Sequence, residues 1–283
     1  MSPGTRLSAI VPRTTNPYFF VIIYLGWAWF FWAFIVLSGE VVWTVPYSLL
    51  FYVGALSPLL GGILLTYRLG AWSGLRDLWD RTVNVRRISR RWYAICIFLQ
   101  PAMTLLAAGI ALLAGTSGQP LNPSISGLLS PNALAFFLTF TLLAGTVEEI
   151  GLTGYFVHRL LEVRGVVAVG LITGVVWAVW HVPLFLMEGY YGPATADPDP
   201  AFFFPGLLFT QIIYAWIYDN TAESVLAAII YHTAINVTGE TLGPSEVVGR
   251  YTFYLTVVLC LLILLHEEWV TPSGLGNRLV NRD

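Results

Sequence analysis

Long apolar runs alternate with short polar segments along the chain, and most runs are close to the ~20 residues that a helix needs to cross a bilayer. The first run, 18–37, follows Arg6 and Arg13 and is too long for the apolar core of a signal peptide, so it predicts a retained first helix. The whole pattern predicts eight membrane-spanning helices, near 18–38, 46–67, 92–115, 132–157, 166–187, 201–218, 222–238 and 250–266. Polar residues interrupt 201–238, and the count becomes seven if that stretch packs irregularly.

Composition supports a polytopic membrane protein. Hydrophobic residues make up 57% of the chain and charged residues 11%, and the mean hydropathy is +0.72, all far from the averages of soluble domains. Eight spans with short connections use all 283 residues, so we expect one all-α integral membrane domain over 1–283. Membrane lipid is the expected surrounding. No basic run with interleaved aromatics suggests nucleic acid, which is not an expected partner.

The distribution of arginine predicts the orientation in the membrane. The polar segment 68–91 carries seven arginines and two aspartates, and we interpret it as a cytoplasmic loop by the positive-inside rule. Alternation of the spans then puts both termini in the cytoplasm as well. The segments assigned to the opposite side contain no arginine, which agrees with this orientation: 39–45, 116–131, 188–200 and 239–249.

Small residues one helical turn apart predict two close contacts between helices. Ser57 and Gly61 form one such pair, and Gly170 and Gly174 form the other. Small side chains let two backbones approach each other, and this packing role is the expected one for both pairs.

Two adjacent glutamates, Glu148 and Glu149, lie within one of the predicted spans. No charged residue occurs between Arg91 and Glu148. A charged side chain at the centre of a bilayer helix costs about 2.5–3.5 kcal/mol on insertion scales. A sequence that carries two of them predicts a polar cavity inside the helix bundle, and with it an intramembrane functional site.

Helical spacing separates the two carboxylates. Glu149 and Thr153 are four residues apart and share a face, whereas Glu148 is rotated by about 100° from Glu149. One carboxylate can therefore face a cavity while the other points to a neighbouring helix. A carboxylate held in such a cavity has the chemistry of a general base that takes a proton from water.

Two further pairs of polar or aromatic residues recur at the same spacing inside later spans. Trp177 and His181 share one helix face, and His232 and Asn236 share another. Two hydrogen-bond donors on one face are suited to an oxyanion site, where they meet developing negative charge. A polar clamp between helices is the structural alternative for His232 and Asn236, and the sequence alone leaves both open.

The three pairs together resemble the motifs of the CPBP family, which contains CAAX prenyl proteases and bacteriocin-processing or bacteriocin-immunity proteins and is also called the Abi family. Its motifs are written EExxxR, FxxxH and HxxxN. Here they correspond to Glu148-Glu149 with Thr153, to Trp177 with His181, and to His232 with Asn236. The resemblance covers 132–240, which we expect to be the catalytic core, and the eight-helix layout extends it to the whole chain.

The resemblance implies an intramembrane endopeptidase of a prokaryotic cell membrane, acting on a membrane-associated peptide or protein, prenylated in the CAAX case. Glu148 would be the general base that activates a water, helped by His181. His232 and Asn236 would form the oxyanion hole, and Glu149 would orient these groups or the substrate.

The same resemblance implies that Trp177 and Thr153 lie at the substrate and that no cofactor is required. Family members have also been described as metalloproteases, and the alternative is a zinc ion held by Glu148, His181 and His232, a credible donor set. The spacing of these residues does not separate the two mechanisms.

Two departures from the motifs matter for activity. Thr153 stands where the family usually has arginine, which puts binding of a substrate carboxylate, and therefore CAAX-type specificity, in question; weak or altered activity is one expectation. Trp177 in place of phenylalanine is a milder exchange. The lost arginine favours a second hypothesis, a non-catalytic immunity factor or scaffold. A third, a proton-coupled transporter, is disfavoured because we find no internal repeat.

Overall fold

A computed structural model describes residues 16–116, 118–124, 131–191 and 198–270 of the chain. Eight long helical segments make up almost all of this described part, which confirms the predicted all-α bundle. In chain order they are α1 (Phe19–Ser38); α2 (Tyr47–Ala55) running into α3 (Ser57–Val83); α4 (Arg90–Leu113); α5 (Pro131–Leu138) continuing through α6 (Ala144–Gly151) to α7 (His158–Leu161); α8 (Val166–His181) with a 3-10 turn (Val182–Leu186); α9 (Pro200–Asn220); α10 (Val225–Leu242); and α11 (Glu246–Val270).

Six of the eight segments are long and apolar enough to cross a membrane by length and composition. The two others, among the residues that the structure describes, are the stretch 131–161 and α10. These two carry the glutamate pair and His232 with Asn236. The segments that hold the polar residues of interest therefore fall short of this criterion, the first because π turns divide it into short helices, and both pack against other helices in the bundle.

The prediction of a loop over 68–91 is wrong for most of its length. The helix of the second span continues to Val83, with a break at Ala71 (φ 46°, ψ −138°), and a 3-10 turn (Val85–Arg87) follows. Leu78, Arg81 and Thr82 share one face of the continued helix and are all buried. Hydropathy alone favours a loop here because this stretch is amphipathic and rich in arginine, which lowers the average of any window.

Both predicted small-residue contacts are confirmed. A Cβ atom added at Gly170 would lie 2.4 Å from the Cα of Ile212, so α8 and α9 touch through their backbones. Ser57 is fully buried and accepts a hydrogen bond from Nε1 of Trp180 at 3.1 Å, and a Cβ at Gly61 would lie 3.2 Å from the Phe20 ring.

The helix that carries the glutamates lies equally close to α3. A Cβ atom at Gly151 would lie 1.8 Å from the carbonyl oxygen of Pro58, and a Cβ at Gly62 would lie 2.7 Å from the Cα of Gly151. No side chain fits between the two backbones at this point. The contact sets the position of Glu149, two residues before Gly151.

Two π-helical turns interrupt the glutamate-bearing segment. They span Thr139–Leu143 and Leu152–Val157, one on each side of α6. Such turns occur mostly as insertions within α-helices and often lie at functional sites. Here they bracket the short helix on which both glutamates stand.

We predict that Gly151→Ala destabilises the protein by roughly 1–3 kcal/mol, because overpacking a close contact displaces backbone. The measurement is the thermal unfolding midpoint in detergent. Gly109→Ala in α4 is the matched control, since nothing lies within 4 Å of its added Cβ. It should leave the midpoint unchanged or raise it, because alanine favours helix over glycine. An unchanged midpoint for Gly151→Ala would contradict the contact.

Candidate active site

The two glutamates of α6 are buried and turn towards different helices. Glu148 is 8% exposed, and its Oε2 accepts a hydrogen bond from Nε1 of Trp177 on α8 at 2.8 Å. Glu149 is 0% exposed, and its Oε1 lies 2.8 Å from Nδ1 of His232 on α10. The rotation between adjacent helical residues thus ties α6 to two neighbours at once.

Both carboxylate oxygens of Glu149 have a partner. Nδ1–H of His232 donates to Oε1, and the hydroxyl of Thr153 donates to Oε2. A carboxylate withdrawn from water needs such donors, since an unpaired buried charge is strongly unfavourable. Thr153 occupies the position where the family motif has arginine. It therefore donates a hydrogen bond to Glu149 through a neutral hydroxyl, where an arginine would carry a positive charge.

His181 presents one ring nitrogen without a proton in its neutral form. Its Nδ1 lies 2.9 Å from the carbonyl oxygen of Trp177. A carbonyl can only accept, so Nδ1 must carry the hydrogen, and the neutral ring keeps a lone pair on Nε2. The ring is held edge-on by Trp177 and Trp180, with centroids 5.3 and 4.9 Å away. Nε2 of His181 is thus an oriented acceptor for a water or a substrate proton.

Trp177 lies at the centre of the group. Its indole N–H holds Glu148, its backbone carbonyl holds His181, and its ring meets His232 at a centroid distance of 5.8 Å. The phenylalanine of the family motif could supply the ring and the carbonyl but not the N–H donor. The exchange of phenylalanine for tryptophan therefore adds one hydrogen bond to the carboxylate expected to act as base.

His232 and Asn236 both bond the glutamate-bearing segment, at different points. Nδ2 of Asn236 donates to the carbonyl oxygen of Phe140 at 2.8 Å, in the first π turn, while His232 bonds Glu149. Gly145 lies between these contacts, and a Cβ there would lie 3.1 Å from Cβ of His232. These two hydrogen bonds join α10 to the glutamate-bearing segment, as expected for a polar clamp between helices. Nε2 of His232 and the second N–H of Asn236 take no part in them.

Arg81 belongs to the surroundings of the site, although sequence reasoning treated it as a loop arginine. Its side chain is 3% exposed and donates to the carbonyl oxygen of Gly154 at 2.8 Å and to the hydroxyl of Tyr218 at 2.6 Å. Asp77 pairs with it at 2.8 Å. Both π turns are thus bonded by a side chain from another helix. Only the spacing of Leu78 and Arg81 on one amphipathic face indicates this burial.

A hollow lies beside the second π turn, towards the arginine-rich stretch 68–91. It has a volume of about 190 Å³, and its walls include Gly74, Arg81, Gly154, Tyr155 and Arg159. Glu148, His181 and His232 are not among its lining residues. The hollow is therefore separate from the glutamate and histidine group.

A metal site is not assembled in the described residues. No three His, Cys, Asp or Glu side chains come together there as ligands of one ion. Glu148 is bonded to an indole and His232 to Glu149, so the zinc set of Glu148, His181 and His232 is not arranged around a common point.

We predict that Thr153→Val destabilises the protein by about 1–3 kcal/mol, because it leaves Oε2 of the buried Glu149 without a donor. The measurement is again the unfolding midpoint. Thr146→Val is the control: its hydroxyl bonds only the carbonyl of Leu142 in its own helical segment and is partly exposed. Equal midpoints for the two variants would contradict the role assigned to the Thr153 hydroxyl.

Comparison with known proteins gives two matches. Residues 130–238 match the family model described as "Type II CAAX prenyl endopeptidase Rce1-like". The chain is also similar to CAAX prenyl protease 2 of Methanococcus maripaludis, with 25% identity over 266 residues, which cover 91% of this chain and 94% of that protein.

The matched region contains all the motif residues of the candidate site. Glu148, Glu149, His181, His232 and Asn236 fall within 130–238. The two matches support a membrane-embedded endopeptidase. The resemblance to the CAAX prenyl protease family, first indicated by three short motifs, is thereby confirmed by a family model over the motif region and by a relative over nearly the whole chain.

Proposed function

We propose that this protein is an intramembrane endopeptidase that hydrolyses a peptide bond of a membrane-associated, prenylated protein, using a water activated by Glu148 and His181. The observation that carries the proposal is the arrangement around Trp177. Its N–H holds the carboxylate and its carbonyl orients the imidazole, so that one residue positions both the buried base and the ring whose Nε2 is an acceptor. A general base and a second acceptor are what an attacking water needs.

The reaction would proceed in two stages. The water gives a proton to Glu148 while its oxygen bonds to the carbonyl carbon, and His181 accepts a hydrogen bond from its other O–H. The carbonyl oxygen becomes negative. When the C–N bond breaks, Glu148 returns the proton to the leaving nitrogen, and the products are a carboxylic acid and an amine. General acid–base catalysis of this kind contributes typically about 10²–10⁴-fold to a rate.

His232 and Asn236 would stabilise the negative oxygen in this scheme. Glu149 accepts from Nδ1–H of His232 and favours the protonated ring, whose Nε2–H can then donate to the oxyanion. The amide of Asn236 gives one N–H to Phe140 and has a second to offer. Glu149 is then a positioning residue, much as the aspartate of a catalytic triad holds its histidine.

The substrate class comes from the comparisons. The relative is named a CAAX prenyl protease, so a prenylated protein with a C-terminal CAAX sequence is the substrate that we propose. Thr153, at the position of the motif arginine, is neutral. It therefore offers no positive charge to pair with a free carboxylate of the substrate. Prenylated and unprenylated peptides of equal sequence are therefore both needed in the assay.

The decisive experiment compares wild type, Glu148→Gln and Glu246→Gln, purified in detergent, on quenched prenylated and unprenylated peptides with and without chelator. Glu246 lies at the start of α11, exposed and paired with Arg250, and serves as the matched control. We expect wild type and Glu246→Gln to cleave, and Glu148→Gln to be slower by about 10²-fold or more.

The other outcomes of this cleavage assay would each change the proposal. Full activity of Glu148→Gln would refute the proposed base. Loss of wild-type activity with chelator would favour the zinc alternative. Cleavage of no peptide by any variant would reject the endopeptidase in favour of the immunity or scaffold hypothesis.

A second prediction concerns the indole N–H. Trp177→Phe keeps the ring but removes the donor to Glu148, and hydrogen bonds to charged groups contribute about 1.5–3 kcal/mol. We expect kcat to fall by about tenfold with little change in KM. Trp27→Phe is the control: the Trp27 indole also donates a hydrogen bond, to the carbonyl oxygen of Val53, but Trp27 lies on an exposed face of α1. An unchanged kcat for Trp177→Phe would mean that the N–H does not hold the base.

A further inference from the structure

Among the residues that the structure describes, two tyrosine hydroxyls beside the candidate site have no hydrogen-bond partner. They belong to Tyr24 on α1 and Tyr214 on α9, and both residues are 0% exposed. A buried tyrosine hydroxyl usually finds a partner, and leaving one unpaired costs folding free energy. Unpaired buried groups in a folded protein therefore need an explanation, and a ligand that completes them is one.

The rings of both tyrosines pack directly on the residues of the site. Tyr214 meets Trp177 and His232 edge-on, with centroids 6.0 and 5.9 Å away. Tyr24 stacks on Trp180 at 5.6 Å, and Trp180 in turn packs on His181. The two tyrosines thus border the site from two different helices.

The hydroxyls also lie within electrostatic reach of both carboxylates. Tyr24 interacts with Glu148 and Glu149 in this way, and so does Tyr214. The unpaired hydroxyls are therefore close to the place where the attacking water and the peptide would be held. Each can donate one hydrogen bond there.

His232 and Asn236, the other donors near this place, each have one N–H engaged within the fold and one left to offer. Nδ1 of His232 bonds Glu149, and one N–H of Asn236 bonds Phe140. A carbonyl oxygen that becomes negative is best stabilised by donors fixed in place before the reaction and withdrawn from water. Two buried hydroxyls on rings packed against the residues of the site meet this requirement.

We propose that the hydroxyls of Tyr24 and Tyr214 are further catalytic groups, which donate hydrogen bonds to the carbonyl oxygen of the peptide bond being cleaved. This inference rests on the proposed endopeptidase function. It explains why two oxygens that weaken the resting fold lie around the same pair of glutamates.

The test is the removal of one oxygen atom at a time. In Tyr24→Phe and Tyr214→Phe the ring contacts remain, and we expect kcat to fall by roughly 10²-fold, the effect of losing one oxyanion donor, with KM changed by less than about threefold. The thermal unfolding midpoint of the ligand-free protein should not fall, because the lost oxygen has no partner to leave behind.

Tyr155→Phe is the matched control. Its hydroxyl is likewise buried, but Tyr155 lines the separate hollow near Arg81, with Arg159 beside its hydroxyl. It should show full kcat. A residue with a purely structural role would lower the midpoint and leave kcat per folded molecule intact, which is the opposite pattern.

Glu148→Gln in the same series separates the two proposals. If wild type cleaves, Glu148→Gln does not, and both tyrosine variants keep full kcat, this inference is wrong and the endopeptidase proposal stands. A lower midpoint for the tyrosine variants would also overturn it, since the hydroxyls would then have partners in the resting protein. If wild type cleaves nothing, both proposals fail together.

Discussion

A carboxylate buried among apolar helices is the constraint on which the rest of this structure depends. Glu149 is fully enclosed, and it is compatible with the fold only because His232 and Thr153 donate to its two oxygens. To bring them there, α10 must lie against α6, and the glycine at 145 allows the approach. The packing of α10 against the glutamate-bearing segment therefore follows from one charge that has to be satisfied.

The helices could be predicted from the sequence because the bilayer sets both their length and their composition. The predicted span 166–187 agrees with α8 and its 3-10 turn to within one residue at each end. The same criterion fails over 68–91, because an amphipathic, arginine-rich helix has the mean hydropathy of a loop. The burial of Arg81 is not predictable for a related reason: the sequence does not show which residues face its side chain.

The site was predictable only within single helices. Spacing of four residues correctly paired Glu149 with Thr153, and Trp177 with His181. It could not reveal that Glu149 meets His232, 83 positions away, because that depends on which helices become neighbours. Tyr24 and Tyr214 were missed for a different reason: an isolated tyrosine in an apolar run is ordinary, and only its unpaired oxygen sets it apart.

The two π turns give the glutamate-bearing segment an unusual periodicity. Each turn adds a residue to the helix and rotates the residues after it by about 100° relative to an unbroken α-helix. Residues beyond the π turns at Thr139–Leu143 and Leu152–Val157 therefore do not lie on the faces that the periodicity of α6 would give them. The face on which Glu148 and Glu149 meet α8 and α10 therefore does not continue as a straight stripe beyond either turn.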